Sequence, residues 1–458
     1  MSKVKVLIAS WGNPWSNFSK SRLKYESLRW DEVKYVINDK ELMSRSSLPL
    51  LYDYIEPSKV IILVPDSVAY GHLSNYYELI NKVRSMYEEF LDSTLKFNPG
   101  KHKVDIAVTP SVGNYDNCLF DCDIPDFKVY VLYYIAEVLN ELISEVSNDI
   151  HETNLEIHLD LTHGVNYMPT LTYSVVNDIA TILSVFSNVR LMVYNSEPYS
   201  KGVDVLRIHV VEDRSTFNWP IYMAVNHKSL FRKRVKLKVN ESRFLDERIR
   251  CMLGSKLENL KSLHCIAASI QYGLPLIIYE FFIEDILKIG SSLINIYRDY
   301  IAVNYDSGSN KLRVFRRLGL TNDAYNLLKM WFTALMLNHL SPYIKIKVIK
   351  DVDIELLKLT TKGIFRKNTL LVSKISRDLH EIESNVKKLG RHVHSWIPYE
   401  TLVERPGKVD RRNFVAHSGL LSRHIEVKPN ETCNNIYIRH VDSAKNELIK
   451  LCEDSLKM

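Results

Sequence analysis

The stretch Asp160-Leu161-Thr162-His163-Gly164-Val165-Asn166 joins a predicted strand, Leu155–Leu161, to a predicted helix, Tyr167–Phe186. The first segment is a short apolar run, and the second carries apolar residues at helical spacing. A strand that passes directly into a helix through a glycine-containing loop is typical of an α/β domain. This stretch therefore predicts an α/β fold for the N-terminal half of the chain.

Strand and helix patterns alternate on both sides of this stretch. Two apolar runs, Val60–Val64 and Val189–Tyr194, are apolar at nearly every position, as in strands buried on both faces. The alternation predicts a Rossmann-like, doubly wound parallel sheet over residues 1–210. The other predicted strands are Val4–Ala9, Val104–Val108 and Val205–Val211, the last closing the sheet edge, and the other predicted helices are Leu73–Leu91 and Val129–Val146.

The composition changes after the predicted sheet. Residues 211–244 are predicted to be a basic linker region, because Arg232-Lys233-Arg234-Val235-Lys236-Leu237-Lys238 alternates basic and apolar residues. This pattern suits a strand or an exposed ribbon. Two interpretations stay open: a solvated face, or a surface that contacts RNA or a second subunit.

Residues 245–458 are predicted to form an all-α domain, since the pattern changes to apolar residues at helical spacing. The predicted helices are Leu245–Leu263, Leu276–Tyr300, Asn322–Leu340, Ile375–Leu389 and Asp442–Leu456.

The composition constrains the class of protein. The chain has 60 Lys and Arg against 54 Asp and Glu, a net charge of +6, which is compatible with an anionic partner. Cys118 and Cys122 have no second Cys or His pair at zinc-site spacing, so we expect no metal site. With no apolar run near the ~20 residues that cross a bilayer and no signal-peptide pattern, we expect a cytoplasmic protein without a membrane anchor.

Two loops that follow predicted strands form the candidate ligand site. Ligands of open α/β sheets bind at the carboxyl ends of the strands, where the strand order reverses. Gly164 allows close approach of the backbone, and the helix that follows presents free N–H groups, which favours an anion. Neither loop matches a dinucleotide or ATP phosphate motif. The candidate residues are Ser10, Trp11 (a stacking face for a base), Gly12 and Asn13 in the first loop, and Thr162, His163, Gly164 and Asn166 in the second.

The segment Arg412-Asn413-Phe414-Val415-Ala416-His417 is the candidate catalytic motif. A guanidinium and an imidazole are the side chains needed to cut RNA without a metal. Asn413 and His417 lie four residues apart, so they share one helix face, and Arg412 is long enough to reach the same phosphate. Asp410 is predicted to cap this helix, and Ser418-Gly419 to end or bend it.

With these motifs in this order, the chain resembles the CARF–HEPN accessory ribonucleases of type III CRISPR systems. Trp-Gly-Asn-Pro after the first strand and Asp-Leu-Thr-His-Gly-Val-Asn after the fourth are similar to a CARF domain. The downstream Arg-Asn-x-x-x-His is similar to the motif of a HEPN ribonuclease domain. The resemblance covers essentially the whole chain.

The resemblance implies a ligand-gated ribonuclease. A cyclic oligoadenylate, with cyclic tetra-adenylate fitting best, would bind the two N-terminal loops across a dimer axis and activate cleavage of single-stranded RNA. Arg412 would stabilise the phosphate charge, His417 would transfer protons, and Asn413 would hold the imidazole or the phosphate. Cleavage would need no metal or other cofactor and would leave a 2′,3′-cyclic phosphate and a 5′-hydroxyl. The partners expected are RNA, the ring, and a second copy in a homodimer or a larger oligomer built from dimers.

Two other functions stay open at this point. One is a nucleotide-sensing transcription regulator without nuclease activity, supported by the basic ribbon; under the ribonuclease hypothesis no stable DNA binding is expected. The other is a nuclease that also slowly degrades its cyclic activator. Two further polar groups, Arg391-His392-Val393-His394 and the pair Arg377 and His380, are candidates for RNA contact or for a solvated surface.

Overall fold

The computed structural model describes residues 2–19, 24–115, 118–146, 150–200, 202–281, 283, 286–308, 311–340, 349–389, 395–429 and 435–457. The candidate group Arg391-His392-Val393-His394 lies outside these residues. The strands are β1 (Ser2–Ser10), β2 (Trp15–Ser19), β3 (Lys24–Leu28), β4 (Val33–Ile37), β5 (Lys40–Ser44), β6 (Lys59–Pro65), β7 (Val104–Thr109), β8 (Gly113–Tyr115), β9 (Cys118–Phe120), β10 (Thr153–Asp160), β11 (Asn188–Ser196), β12 (Val205–Arg214), β13 (Phe231–Lys233), β14 (Ile301–Asp306), β15 (Lys311–Arg316), β16 (Leu318–Leu320), β17 (Val352–Asp353), β18 (Ile397–Pro398), β19 (Ile425–Pro429) and β20 (Ile436–His440). The α-helices are α1 (Leu48–Ile55), α2 (Tyr76–Glu89), α3 (Ile124–Val146), α4 (Tyr167–Phe186), α5 (Val239–Leu253), α6 (Glu258–Tyr272), α7 (Pro275–Glu280), α8 (Leu287–Asp299), α9 (Asn322–Leu337), α10 (Ile354–Ile364), α11 (Thr369–Lys387), α12 (Arg411–Ala416) and α13 (Lys445–Ser455).

The main sheet has the strand order β5-β4-β12-β11-β10-β1-β6-β7. Strands β7, β6, β1, β10 and β11 are parallel to their neighbours in this group. The chain lays β6 and β7 on one side of β1, then returns to lay β10 and β11 on the other. The strand order therefore reverses between β1 and β10, which is the position where open α/β sheets bind ligands.

The central strands are apolar on both faces because helices cover the sheet. In β1, the side chains of Val4, Val6, Leu7 and Ile8 are at most 1% exposed, and complete burial of such a side chain contributes roughly 1.5–3 kcal/mol. The predicted doubly wound sheet is confirmed, and each strand predicted for the N-terminal half corresponds to an observed one.

The predicted edge of the sheet is wrong. Strand β12 pairs with β4, and β5 pairs with β4 farther out, so β12 lies inside the sheet. Residues 15–55, which form β2–β5 and α1, have no clear period that would have indicated them. Strand β2 pairs with β3 and β4 pairs with β5, and β4 also pairs with the distant strand β12.

The C-terminal half is mainly helical, as predicted, and it also contains strands that the all-α prediction left out. Strands β17, β20, β19 and β18 form a small sheet, and β14 and β15 form a hairpin that pairs with β9 of the N-terminal half. Two predicted helices are in fact divided. Gly254, at a φ of 84°, separates α5 from α6, and α7 ends at Glu280 before α8 begins at Leu287.

Buried ion pairs join the two halves. The Arg316 guanidinium on β15 lies 2.5 Å from Asp66, which follows β6, and neither side chain is exposed. Arg234 belongs to the predicted basic ribbon, whose residues 231–233 form β13. Its side chain lies 2.5 Å from the carboxylates of Asp121 and Asp126 and is only 7% exposed. This part of the ribbon is thus an internal contact, and neither a wholly solvated face nor an open anionic surface.

No helix within the described ranges is both long enough and apolar enough to cross a membrane.

Candidate functional site

The structure brings the two predicted ligand-site loops together. Strands β1 and β10 are neighbours, with Ala9 opposite Asp160. Just beyond them, the Gly12 N–H donates to the carbonyl oxygen of His163 at 2.7 Å. The two loops are therefore one connected structure at the switch point of the sheet.

Both glycines of the site are required by this close packing. A Cβ atom on Gly12 would lie 2.0 Å from Cγ2 of Val165, and one on Gly164 would lie 2.3 Å from Cγ of Pro169. The same Cβ on Gly164 would lie 3.1 Å from Oγ of Ser10. Because each glycine faces the opposite loop or the helix behind it, any larger residue would separate the two loops.

The expectation that Trp11 offers a stacking face for a base is wrong in this structure. Trp11 is 0% exposed. Its ring packs edge-on against Trp30 and Phe90, with centroids 5.3 and 6.1 Å away, and lies 6.3 Å from Tyr87. Trp11 is thus part of the aromatic core beneath the loop.

His163 is half-buried, and its environment favours the neutral ring. The backbone N–H of Ser47 points at Nε2 from 3.3 Å, so this nitrogen accepts a hydrogen bond. The ring lies against Trp30 with centroids 4.1 Å apart. Burial lowers the pKa of His163 to about 3, so the side chain is an acceptor, and not a cation, at neutral pH.

The other residues of the two loops differ in whether their side chains are already hydrogen-bonded within the protein. Asn166 is exposed at the start of α4, with a φ of 45° and no hydrogen bond from its side chain to the helix terminus. Thr162 Oγ1 accepts from the Ser196 N–H at 3.2 Å, and Asn13 Oδ1 accepts from the Trp15 N–H at 2.9 Å. The buried Ser10 Oγ has no hydrogen-bond partner within the described ranges. Asn166 and the start of α4 therefore keep the most capacity to bind an anionic ligand, whereas Ser10 is as fully buried as Trp11.

Sequence reasoning missed the residues that hold the second loop from below. Asp160, the last residue of β10, is buried and accepts a 2.6 Å hydrogen bond from Ser47 Oγ and one from the Thr162 N–H at 3.0 Å. Burial raises the pKa of Asp160. A carboxylate at the end of an apolar strand was a visible signal. Ser47, Trp30 and Tyr35, whose hydroxyl lies 3.3 Å from His163 Nε2, come from the unpredicted region 15–55.

The candidate catalytic motif lies on the short helix α12 and the turn that follows it. Asp410 caps this helix as predicted, because its Oδ1 accepts from the Asn413 N–H at 2.8 Å. The helix ends at His417, whose N–H donates to the Asn413 carbonyl oxygen at 2.9 Å. Ser418 and Gly419 then take φ values of 53° and 76° and reverse the chain. A left-handed residue other than glycine costs roughly 1–2 kcal/mol, so the surrounding contacts must hold Ser418 in place.

Arg412 and His417 are both exposed. Among the described residues, neither side chain has a hydrogen-bond or ion-pair partner. Asn413 differs, because its amide nitrogen donates to the Lys408 carbonyl oxygen at 3.0 Å and to Asp410 Oδ2 at 3.3 Å. The expected contact between Asn413 and the imidazole is therefore not formed in the protomer, whereas a contact with phosphate stays a prediction.

A small cavity of about 150 Å³ lies beside His417. Its polar lining includes Asp378, Glu381, Tyr399 and Arg405. These residues were not predicted as site residues, because α11, the 399–407 segment and the motif are brought together only by folding. Such a cavity next to the unpaired imidazole of His417 can hold a polar group of an extended substrate.

Two buried side chains hold the turn that follows His417. Asp378 of α11 accepts from Ser418 Oγ at 2.7 Å, and His440 at the end of β20 lies with Nε2 3.0 Å from the Gly419 carbonyl oxygen. Lys374 of α11 donates to the Val415 carbonyl oxygen at 2.8 Å, and burial lowers its pKa to about 8. The motif is thus supported from α11 on one side and from β20 on the other.

The remaining candidates are surface groups. Arg377 and His380 are both exposed on α11, and Arg377 lies 3.3 Å from Asp378. Among the described residues there is no cluster of three His, Cys, Asp or Glu side chains that could hold a metal ion.

Comparison with known proteins adds three findings. Residues 6–198 match the family model described as the CARF domain of CRISPR system endoribonuclease Csx1. Residues 368–442, which include α11 and the Arg412–His417 motif, match the model of the HEPN domain of the same endoribonuclease. The chain is also 30% identical over 430 residues to a CRISPR system endoribonuclease Csx1 from Methanocaldococcus jannaschii, with 91% of this chain and 84% of the relative covered.

Proposed function

The chain belongs to the Csx1 family of CRISPR system endoribonucleases, and from that premise we propose that it cleaves single-stranded RNA at Arg412 and His417 when a cyclic oligoadenylate binds the N-terminal loops. The observation that carries the proposal is that these two side chains, within the HEPN-matching segment, are exposed and unpaired within the described part of the protomer. Cyclic tetra-adenylate is the proposed activator.

The chemistry follows from the two side chains. The 2′-hydroxyl of RNA attacks the adjacent phosphate, the 5′-oxygen leaves, and a 2′,3′-cyclic phosphate and a 5′-hydroxyl result. Arg412 stabilises the extra negative charge on the phosphate oxygens with its forked N–H donors. His417 transfers a proton as base or acid. Neither role needs a metal ion.

One protomer supplies one His417, yet the reaction needs one proton removed and another delivered. We therefore propose that the active species is a homodimer, or a larger oligomer built from dimers, in which two copies of α12 face one substrate. A two-fold axis also suits the N-terminal loops, because it presents each loop twice to a symmetric ring. The polar groups with most capacity to contact the ring are Asn166 and the N–H groups at the start of α4.

The contacts of the basic ribbon weaken the alternative of a DNA-binding regulator. Arg234 is committed to buried carboxylates, and Arg232 is paired with Asp123. No comparable observation favours degradation of the activator. The test below therefore includes a measurement of this degradation, which is not proposed as a second function.

The test is an RNA cleavage assay in EDTA, with and without cyclic tetra-adenylate. We expect cleavage that depends on the activator, products with cyclic phosphate ends, and loss of cleavage in Arg412→Ala. Arg411→Ala is the matched control, since Arg411 is also exposed and directly precedes Arg412. Activity that requires a divalent cation, or that survives Arg412→Ala, would reject the assigned chemistry. Analysis of the ring after incubation shows whether it is also cut.

A further inference from the structure

His440 is a buried histidine whose two ring nitrogens are both engaged. Nδ1 lies 2.8 Å from Oε1 of Glu280, and Nε2 lies 3.0 Å from the carbonyl oxygen of Gly419. A carboxylate and a carbonyl oxygen both accept hydrogen bonds, so both nitrogens of the ring carry protons. His440 is therefore an imidazolium that joins the end of α7 to the turn after His417.

We propose that His440 is a positioning residue for catalysis: by donating Nε2–H to Gly419 it holds the turn 417–419, and with it the imidazole of His417, in the arrangement that transfers protons. Glu280 holds the other side of the ring and also accepts from the His440 backbone N–H at 3.2 Å. The proposal rests on the assignment of His417 as the catalytic histidine.

The turn needs such support because of its backbone. Ser418 and Gly419 are consecutive residues with positive φ, and the two polar side-chain contacts described for them come from Asp378 and His440. Asp378 holds the side chain of Ser418, whereas His440 holds the backbone itself. The contact from His440 is the one that depends on the protonation state of the side chain.

The charges around the ring decide that protonation state. Burial opposes the charged form, but the Glu280 carboxylate and the hydrogen bonds to Glu280 and Gly419 outweigh it, so that the pKa of His440 is raised above its ordinary value. Lys445, Lys350 and Asp442 line the cavity of about 210 Å³ that also contains Glu280 and His440, and Lys350 pairs with Asp442. His424, packed nearby, is paired with Glu447 at 3.0 Å.

The sign of the pH effect follows. With Glu280 present, His440 stays protonated at pH values above its ordinary range, and the turn stays held. In Glu280→Gln the amide is neutral, so the ring loses its second proton at lower pH. The amide oxygen at position 280 still accepts from the His440 backbone N–H and thereby keeps the remaining proton on Nδ1, so Nε2 loses its bond to Gly419. The kcat of this variant should equal that of the wild type near pH 6 and fall at least fivefold below it by pH 8.5, with KM for RNA unchanged.

Two variants accompany the test. Glu447→Gln makes the same change beside His424, a second buried histidine paired with a glutamate; within the described ranges the His424 ring makes no hydrogen bond to residues 417–419, so the ratio of this variant to wild type should be flat with pH. His440→Asn keeps a donor at the Nδ1 position for Glu280, lacks the Nε2 donor to Gly419 and does not titrate, so its kcat should be reduced across the pH range. If circular dichroism shows that Glu280→Gln is unfolded, the kcat of the His440 variant tests the positioning role by itself.

A flat ratio of one for Glu280→Gln, or a wild-type kcat for His440→Asn, would overturn the positioning role. Failure of the proposed function is distinguishable, because it would show as activity retained in His417→Ala. Loss of RNA cleavage in His417→Ala, together with no pH effect in Glu280→Gln, would reject only the positioning role of His440 and leave the proposed function in place.

Discussion

At the carboxyl edge of the sheet, most polar groups of the loops after β1 and β10 are hydrogen-bonded to each other or to the residues beneath them. At the tail, Arg412 and His417 are exposed and make no such contacts among the described residues. The same chain therefore contains one candidate site whose residues stabilise the fold, and another in which the side chains of Arg412 and His417 make few structural contacts. Substitutions in the two regions should consequently separate stability from activity in opposite ways.

The largest effect is expected on activity, at His417. His417→Ala should reduce RNA cleavage by roughly 10²–10⁴-fold, because it removes proton transfer, and should change the free energy of unfolding by less than about 0.5 kcal/mol, because the side chain is exposed. Cleavage rates and urea unfolding measure the two quantities. His380→Ala is the matched control on the same surface. An equal loss in the control would move the catalytic role away from α12.

Next comes the buried tryptophan of the first loop. Trp11→Ala should lower the free energy of unfolding by about 3–5 kcal/mol, since it leaves a cavity among Trp30, Tyr87 and Phe90. The control in the C-terminal half is the half-buried Trp396, whose ring lies 4.0 Å from the Arg439 guanidinium. Trp396→Ala should lower the free energy of unfolding by less than Trp11→Ala. A small change in the free energy of unfolding for Trp11→Ala, together with a weaker response to the activator, would indicate that Trp11 contacts the ligand directly.

A smaller change tests the contact between the loops. Gly12→Ala should cost about 1–3 kcal/mol, because the new methyl group meets Val165, and it should raise the concentration of activator needed for cleavage. Gly407→Ala, near the second site, is the control, since nothing lies within 4 Å of its added Cβ. Equal stability of the two variants in chemical denaturation would show that the loops can separate without cost.

The last prediction concerns pH. His163 has a folded-state pKa of about 3 against an ordinary value near 6.5, so between these values only the unfolded chain binds the proton. Stability is thus unaffected above pH 6.5 and falls as the pH drops, by about 2 kcal/mol between pH 7 and pH 5. His163→Gln should lack this part of the loss in urea unfolding at the two pH values. The same loss in both proteins would show that His163 becomes protonated while folded.

The corrections show which kinds of signal a sequence carries. Trp11 was placed in the right loop but on the wrong side of it, because a tryptophan after a strand has the same local pattern whether it faces solvent or core. Residues 15–55 form strands that pair mainly with each other, β2 with β3 and β4 with β5, and the pairing of β4 with β12 joins them to a distant part of the chain; the sequence pattern did not indicate these short elements. The divided helix predicted over Leu245–Leu263 is a different case. Gly254 indicated a break in the sequence, but the apolar residues on both sides of it continued the helical pattern.

What the sequence determined by itself was the doubly wound sheet, the two loops at its switch point and the capped helix with Arg412 and His417. These features arise from local rules, namely apolar period, glycine placement and the capping of a helix by Asp410. Only the tertiary structure decided that Trp11 is core, that Arg234 and Arg316 are internal cations, and that His440 reaches Gly419. Those outcomes depend on which distant carboxylates and carbonyls fold against each side chain, and burial then sets the protonation state that no linear spacing encodes.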